Sequence, residues 1–263
     1  MNSITIDIGN SRTKVDYWDN DGILSRESYD SIPFDWLKRE IDTRSIEGII
    51  VSSVKDKADE LIDILREKTG CDFIINFNKE EIIKYGDQIR YEGNVGPDRI
   101  AAFLGAKAQL GNSPMLIVDA GTAITYDISD MEGNFCGGNI SLGKKGRLKV
   151  LEEATSRLPL VEDEDDLKPF SFFGHDTRSA IENGVRNSLI GETLYSIKLA
   201  EQQYGIKWVV FTGGDYELLY GAASHEWEKC LTDRDLVGRG LNYHLRKFYF
   251  PEEFIHTSFL QAI

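Results

Sequence analysis

Ile4-Thr5-Ile6-Asp7-Ile8-Gly9-Asn10-Ser11-Arg12-Thr13-Lys14 opens the chain, and Ile117-Val118-Asp119-Ala120-Gly121-Thr122-Ala123-Ile124-Thr125 repeats its plan further on. In each copy a short β-branched, apolar run reads as a buried strand and delivers an aspartate to a turn of small residues. Aligned, the copies read Asp7-x-Gly9-x-x-x-Thr13 and Asp119-x-Gly121-x-x-x-Thr125, in one register. A glycine turn follows the second strand of each, at Gly22 and Gly133. This is a two-copy duplication, not the ladder of short repeats that marks a solenoid.

Working outward, Thr13–Trp18 reads as the antiparallel partner of the first strand, and Asp19-Asn20-Asp21-Gly22 turns into a third strand near Ile23–Tyr29. Helices are expected at Asp35–Ile41 and Lys57–Lys68, the latter closed by Gly70, with strands at Gly48–Val54 and Phe73–Phe77. Ile82–Val95 reads as loop. Asp98–Leu110 is Ala-rich with an apolar face, and Gly111-Asn112-Ser113-Pro114 stops it and marks the domain boundary. Beyond the repeat, Phe135–Ile140 reads as strand, Arg147–Thr155 as helix and Glu162–Asp166 as an acidic surface loop. Asp176–Gln203 is a long helix in which Gly184 and Gly191 suggest close approach; Ile206–Phe211 is a strand and Asp233–Phe248 a terminal helix. Strands and helices alternating in this way argue for an α/β architecture.

Composition bounds the partners. Of 263 residues, 44 are acidic and 30 basic, a net charge of −14, which disfavours a nucleic-acid face. Local basic spots such as Lys144-Lys145-Gly146-Arg147 suit a small anion. The cysteines, Cys71, Cys136 and Cys230, form neither a metal-ligand pattern nor a disulfide framework. His175, His225, His244 and His256 read as surface or packing residues. No apolar run approaches the ~18 residues of a membrane span. The first residues lead straight into a strand pattern, so a cytoplasmic protein is expected.

Four small-residue turns follow strand patterns: Asp7–Ser11, Asp119–Thr122, Gly137-Gly138 and Thr212–Asp215. Glycines let the backbone approach a ligand, and successive N–H groups in such turns form anion-binding concavities. The first two turns carry a carboxylate suited to Mg²⁺ directly or through water. Together they suit a polyphosphate, although a P-loop, a Rossmann fingerprint and the protein-kinase motifs are all absent. In Gly96-Pro97-Asp98-Arg99, Asp98 is either a helix N-cap or a general base for an alcohol, with Arg99 on an anionic group.

The ordered set DIGNSRTK (Asp7–Lys14), GPDR (Gly96–Arg99), DAGTAIT (Asp119–Thr125), GGNI (Gly137–Ile140), TGGD (Thr212–Asp215) and DLVGRGL (Asp235–Leu241) resembles type III pantothenate kinase, in the acetate and sugar kinase/actin superfamily. The resemblance spans nearly the whole chain. It implies an α/β fold of two duplicated RNase H-like, actin-like ATPase domains, 1–112 and 113–263, with mixed sheets flanked by helices. It further implies ATP-dependent phosphorylation of pantothenate at its terminal hydroxyl, the entry to coenzyme A. By it, Asp7, Ile8, Gly9, Asn10, Ser11, Arg12, Thr13 and Lys14 form the first phosphate turn, and Thr122 contacts ATP in the second. Mg²⁺ lies near Asp7, and Asp119 helps place a monovalent cation, K⁺ or NH4⁺. Tyr91, Gly96, Pro97, Asp98, Arg99 and Thr177 line the pantothenate site, with Asp98 as proton acceptor. A homodimer is implied; nucleic acid and membrane are not. The sequence departs from the family pattern twice. Tyr91-Glu-Gly-Asn-Val-Gly96 is shorter than the usual link and lacks Pro, and Leu142 stands where Pro is common. Another small-molecule kinase of the superfamily, a nucleotide-dependent regulator and a nucleic-acid module are the competing readings.

Overall fold

A computed structural model describes residues 1–20, 22–30, 34–54, 58–162, 172–252 and 254, with the backbone alone at 34–36. Asp21, Lys57, most of Glu162–Asp166 and His256 lie outside the described residues. The chain divides into two units, one of residues 1–111 and 235–263 and the other of 112–234. The change of unit after Gly111 falls beside the expected boundary at 112. The described residues from Asp235 onward, however, pack with the first unit.

In the first unit, β1 (Ser3–Ile8), β2 (Thr13–Trp18), β3 (Ile23–Tyr29), β4 (Gly48–Ser53) and β5 (Phe73–Asn76) form one sheet in the order β3-β2-β1-β4-β5. The β1–β2–β3 meander is antiparallel, and β4 and β5 run parallel to β1. Alternation sorts the two faces. Ile4, Ile6, Val15, Ile49 and Val51 turn to one side, where Leu37 and Ile41 of α1 (Phe34–Arg44) and Leu61, Ile62 and Leu65 of α2 (Ala58–Lys68) bury them. Each such side chain taken out of water contributes ~1.5–3 kcal/mol. On the other face Ser3, Thr5 and Asp16 are buried yet polar. Ser3 Oγ donates to Asn242, and Trp18 Nε1 donates to Thr5. Asn242 belongs to α8 (Leu236–Tyr249), which covers this face and crosses α4 (Pro97–Leu110).

In the second unit β6 (Met115–Ala120), β7 (Ala123–Ser129), β8 (Phe135–Leu142), β9 (Trp208–Gly213) and β10 (Cys230–Thr232) take the order β8-β7-β6-β9-β10. β6–β7–β8 is antiparallel, and β9 and β10 run parallel as β4 and β5 do. The duplication seen in the sequence is therefore a duplication of topology. Leu116, Val118, Ile124, Tyr126, Val209 and Phe211 pack against α5 (Lys144–Glu153), α6 (Thr177–Tyr204) and α7 (Tyr216–Ala223).

Three local readings change. In the first hairpin the last pair is Ile8–Thr13, leaving the four residues 9–12 in the turn; in the second it is Ala120–Ile124, leaving the three residues 121–123. Asp7 thus pairs with Lys14, whereas Asp119 pairs with Thr125. The spacing that Thr13 and Thr125 share in sequence does not carry over to the strand pairing, because one extra residue in the first turn moves each later side chain to the opposite face. Gly137-Gly138 is not a turn: it lies inside β8, where Ile128 faces both Cys136 and Gly137 across a bulge, with Gly137 at φ 102°. Gly184 and Gly191 mark no close approach, since a Cβ on either would meet nothing within 4 Å.

Candidate active site

The Asp7 turn stands at the carboxyl end of β1. Asp7 and Ile8 are half-buried, Asn10, Ser11 and Arg12 are exposed, and the Gly9 N–H donates to the Arg12 carbonyl at 3.0 Å. That bond commits one N–H to the turn itself. Across the sheet Asp7 has Lys14 on one side and Ser52 on the other, so a carboxylate, an ammonium and a hydroxyl share one strip. Thr13 is buried on the opposite, Ile8 face, where it braces the hairpin.

The other group in this unit is built by the first turn of α4. Gly96 caps the helix through its backbone and Pro97 occupies the first helical position, where a missing N–H costs nothing. Asp98 is therefore not the N-cap; it sits one place further in, and its Oδ1 accepts from the Arg99 N–H at 2.9 Å. The carboxylate folds back over Gly96, where a Cβ would come within 2.5 Å of Oδ1. Burial pushes the Asp98 carboxyl above its ordinary value, and the Arg99 N–H and guanidinium only partly oppose this. A carboxylate so held is a better proton acceptor than one in water. The Arg99 side chain is buried, with its guanidinium 5.5 Å from the ring centre of Tyr91, which is 38% exposed. Despite the short link, Tyr91, Gly96, Pro97, Asp98 and Arg99 are gathered in one place.

In the second unit the carboxyl ends of β6 and β9 carry Asp119 and Thr212 side by side. Gly213, at φ 94°, packs on the backbone of Ala120, and the Asp215 N–H donates to the Ala120 carbonyl at 2.9 Å. Gly213 is needed for packing, while Gly214 has nothing within 4 Å of its Cβ position. Thr122 is exposed at the tip. Gly143, the last residue of GGNISLG and given no role from the sequence, holds this tip: its N–H donates to the Thr122 carbonyl at 3.0 Å, and an added Cβ would overlap the Gly121 carbonyl. It opens α5, which begins at Lys144, three residues before the expected Arg147, because Lys144-Lys145-Gly146 shows no apolar periodicity. Arg147 is spent on structure, bonding Leu142 O, Ser141, Ser188 and Glu192. Thr177 lies apart from the Thr122 tip in sequence, exposed at the start of α6, and lines a cavity of about 740 Å³ with Leu142, Val150, Ile181 and Val185.

Among the described residues no three His, Cys, Asp or Glu side chains converge as a metal cage. His175 and His225 are exposed, and His244 is buried in packing.

Two sheets of identical order, each ending an Asp-bearing strand in a small-residue turn, define a duplicated α/β fold of the actin-like ATPase and sugar-kinase class. The ROK hexokinase of Thermus thermophilus superposes with a TM-score of 0.50 at 14% identity, covering 93% of this chain and 98% of that one. The activator of 2-hydroxyisocaproyl-CoA dehydratase from Clostridium difficile, a structure with bound ADPNP, gives 0.52 at 13% identity over 100% and 97%. A family model described as type III pantothenate kinase matches residues 3–198, and a type III pantothenate kinase of Porphyromonas gingivalis is 32% identical over 91% of this chain and 96% of its own. The chain belongs to the type III pantothenate kinase family.

Proposed function

We propose that the protein transfers the γ-phosphate of ATP to the terminal hydroxyl of pantothenate, giving 4′-phosphopantothenate, the first step toward coenzyme A. Family membership supplies the reaction, and the gathering of Tyr91, Asp98 and Arg99 around one glycine-opened helix start carries the assignment of residues.

Asp98 accepts the hydroxyl proton as the phosphoryl group transfers in line. Its raised pKa favours holding that proton, and the loose transition state demands little basicity early on. Arg99 orients an anionic part of pantothenate, and Tyr91, Gly96, Pro97 and Thr177 complete its contacts. The exposed Asn10, Ser11 and Arg12 with Lys14 hold phosphate oxygens, Asp7 and Ile8 position the turn, and Gly9 and Thr13 fix its shape. In the second unit Thr122 contacts the nucleotide. Asp7 would hold Mg²⁺, and Asp119 would place K⁺ or NH4⁺; the cations supply charge neutralisation on the phosphates. Electrostatics and positioning therefore do most of the work.

The cytoplasm is the compartment this substrate pair requires; among the described residues no helix is long and apolar enough to cross a membrane. A homodimer is supported by the apolar surface around the start of α6, where Leu142, Phe172 and Phe173 are 49%, 61% and 73% exposed. The test is coupled ADP release with pantothenate, sugar and carboxylic-acid acceptors, with K⁺, NH4⁺ or Mg²⁺ omitted in turn. Pantothenate-dependent release that needs Mg²⁺ and a monovalent cation is expected; release with another acceptor alone would overturn the reading.

A further inference from the structure

Tyr91 sits in a stretch with little means of holding itself. Between α3 (Lys79–Ile83) and α4, the 3-10 turn Gly86–Gln88 is the one regular element, and Gly86 and Gly93 take φ of 53° and 92°. A five-residue helix is far too short to persist unaided. Asn78 caps it, accepting from the Glu80 and Glu81 N–H groups, but what ties it down is a closed hydrogen-bond network with α8.

His244 of α8 is fully buried. Its Nε2 lies 2.7 Å from Glu81 Oε2 and its Nδ1 lies 3.0 Å from the Tyr85 hydroxyl. A carboxylate only accepts, so Nε2 carries the hydrogen and donates; Nδ1 then accepts from Tyr85. The Tyr249 hydroxyl donates to Glu81 Oε1 at 2.8 Å and accepts from Lys84 Nζ at 2.8 Å. Lys84 Nζ also donates to both Glu81 oxygens, at 2.9 and 2.7 Å. Every donor and acceptor is accounted for with His244 neutral. Phe77 and Phe248 pack on the imidazole at 4.8 and 4.9 Å between ring centres and exclude water.

Glu81, Lys84 and Tyr85 all lie on the chain just before the Tyr91 stretch, and the wall they anchor is shared. Ile82 and Ile83 of α3 line one cavity of about 260 Å³ together with Ile89, Tyr91, Asn94 and Val95. Further along, Lys107 Nζ of α4 donates to Gln88 Oε1 at 3.0 Å. Tyr91 is thus suspended between two tethers, one on α8 and one on α4.

We propose that Glu81 and His244 are positioning residues for pantothenate, acting through α3 to hold residues 86–95 and the Tyr91 ring beside Arg99. The role rests on the reading of Tyr91 as a substrate contact. The test uses the full-length Glu81→Gln variant, which keeps shape but loses the charge. Steady-state kinetics should show KM for pantothenate raised about tenfold, the effect of weakening charge-assisted hydrogen bonds. KM for ATP and kcat at saturation should stay within about twofold, since removing ground-state positioning spares the saturated step. Hydrogen exchange should quicken in peptides covering 84–96 and stay unchanged in β1 and β4. If Glu81→Gln does not fold, Tyr249→Phe, which removes the hydroxyl's bonds to Glu81 and Lys84 but keeps the Glu81–His244 pair, gives the same pattern at smaller amplitude. Unchanged exchange in 84–96, or a fall in kcat with pantothenate KM intact, overturns the proposal. A wild-type protein without pantothenate turnover would overturn the functional reading alone, and the exchange result would still decide the tether.

Discussion

Gly240 of α8 lies so close to Ala101 of α4 that a Cβ on it would overlap the Ala101 carbonyl oxygen. Gly105 returns the contact, with no room between it and the Leu236 carbonyl. The two helices therefore meet backbone to backbone, and α4 carries Asp98 and Arg99 in its first turn. The DLVGRGL segment is in this light a clamp on the helix that presents the proposed proton acceptor. Gly240→Ala should lower stability by about 1–3 kcal/mol, the usual cost of overpacking. Gly191→Ala, on an open helix surface, should raise it by about 0.5–1 kcal/mol. Urea unfolding of both variants separates them, and equal effects would refute the crossing.

Asp98→Asn should cut turnover by roughly 10²–10⁴-fold, the contribution of a positioned acid–base group. Its stability should move the other way. Burial raises the folded-state pKa, so the wild-type carboxylate costs stability once it ionises, above its ordinary value of 3.8. At pH 7 the variant should be at least as stable as wild type, and the advantage should vanish as pH falls below that value. Melting curves at pH 7 and at low pH measure it; a variant that is both less stable and still active would refute the assignment.

Gly96→Ala tests the geometry without touching a charge. Gly96 has φ −58°, which alanine adopts freely, but the new methyl would sit 2.5 Å from Asp98 Oδ1. The carboxylate must turn aside. Turnover should fall by about 10–100-fold, as small misplacements of catalytic groups do, while the melting temperature changes little.

How far these sites could be read from the chain depended on distance. The Asp7 and Asp119 strands were legible because alternation is local, and the ordered motifs carried the family. The register was not: both turns hold a glycine and polar residues, and nothing in their composition tells four residues from three. Propensity counts Gly238 and Gly240 against a helix at ~1 kcal/mol each, yet α8 exists because those glycines let it reach α4 and the Asp16 and Thr5 side chains. α3 found no signal of its own, and its last two residues fell in the stretch Ile82–Val95 read as loop, because the anchor of Glu81 lies 163 residues away. The role of Gly143 escaped for a related reason, residing in the Thr122 carbonyl it serves.

His244 gives the protein an acid limb. Burial first, then the nearby Lys84 and Lys247, push its pKa from 6.5 down to about 4, against the pull of Glu81. Between those values the unfolded chain binds the extra proton, so stability falls as pH drops from 6.5 toward 4. Glu81, held below the ordinary range by hydrogen bonds from Lys84, Tyr249 and His244 that outweigh its burial, adds loss in the same direction at lower pH. His244→Gln should flatten the slope between pH 6.5 and 4 in a series of unfolding curves, at a cost in stability at neutral pH. A slope left intact would mean that another group titrates there.

The path of the chain sets an order of events during synthesis. Residues 112–234 form a continuous unit, complete once Arg234 has left the ribosome. The unit that contains residues 1–111 lacks α8 until residues 236–249 have been made, and until then the polar face of its sheet and the glycine-lined flank of α4 lack the helix that covers them. Of the two units, the one whose strands are made first is the one whose last helix arrives after the other unit is complete.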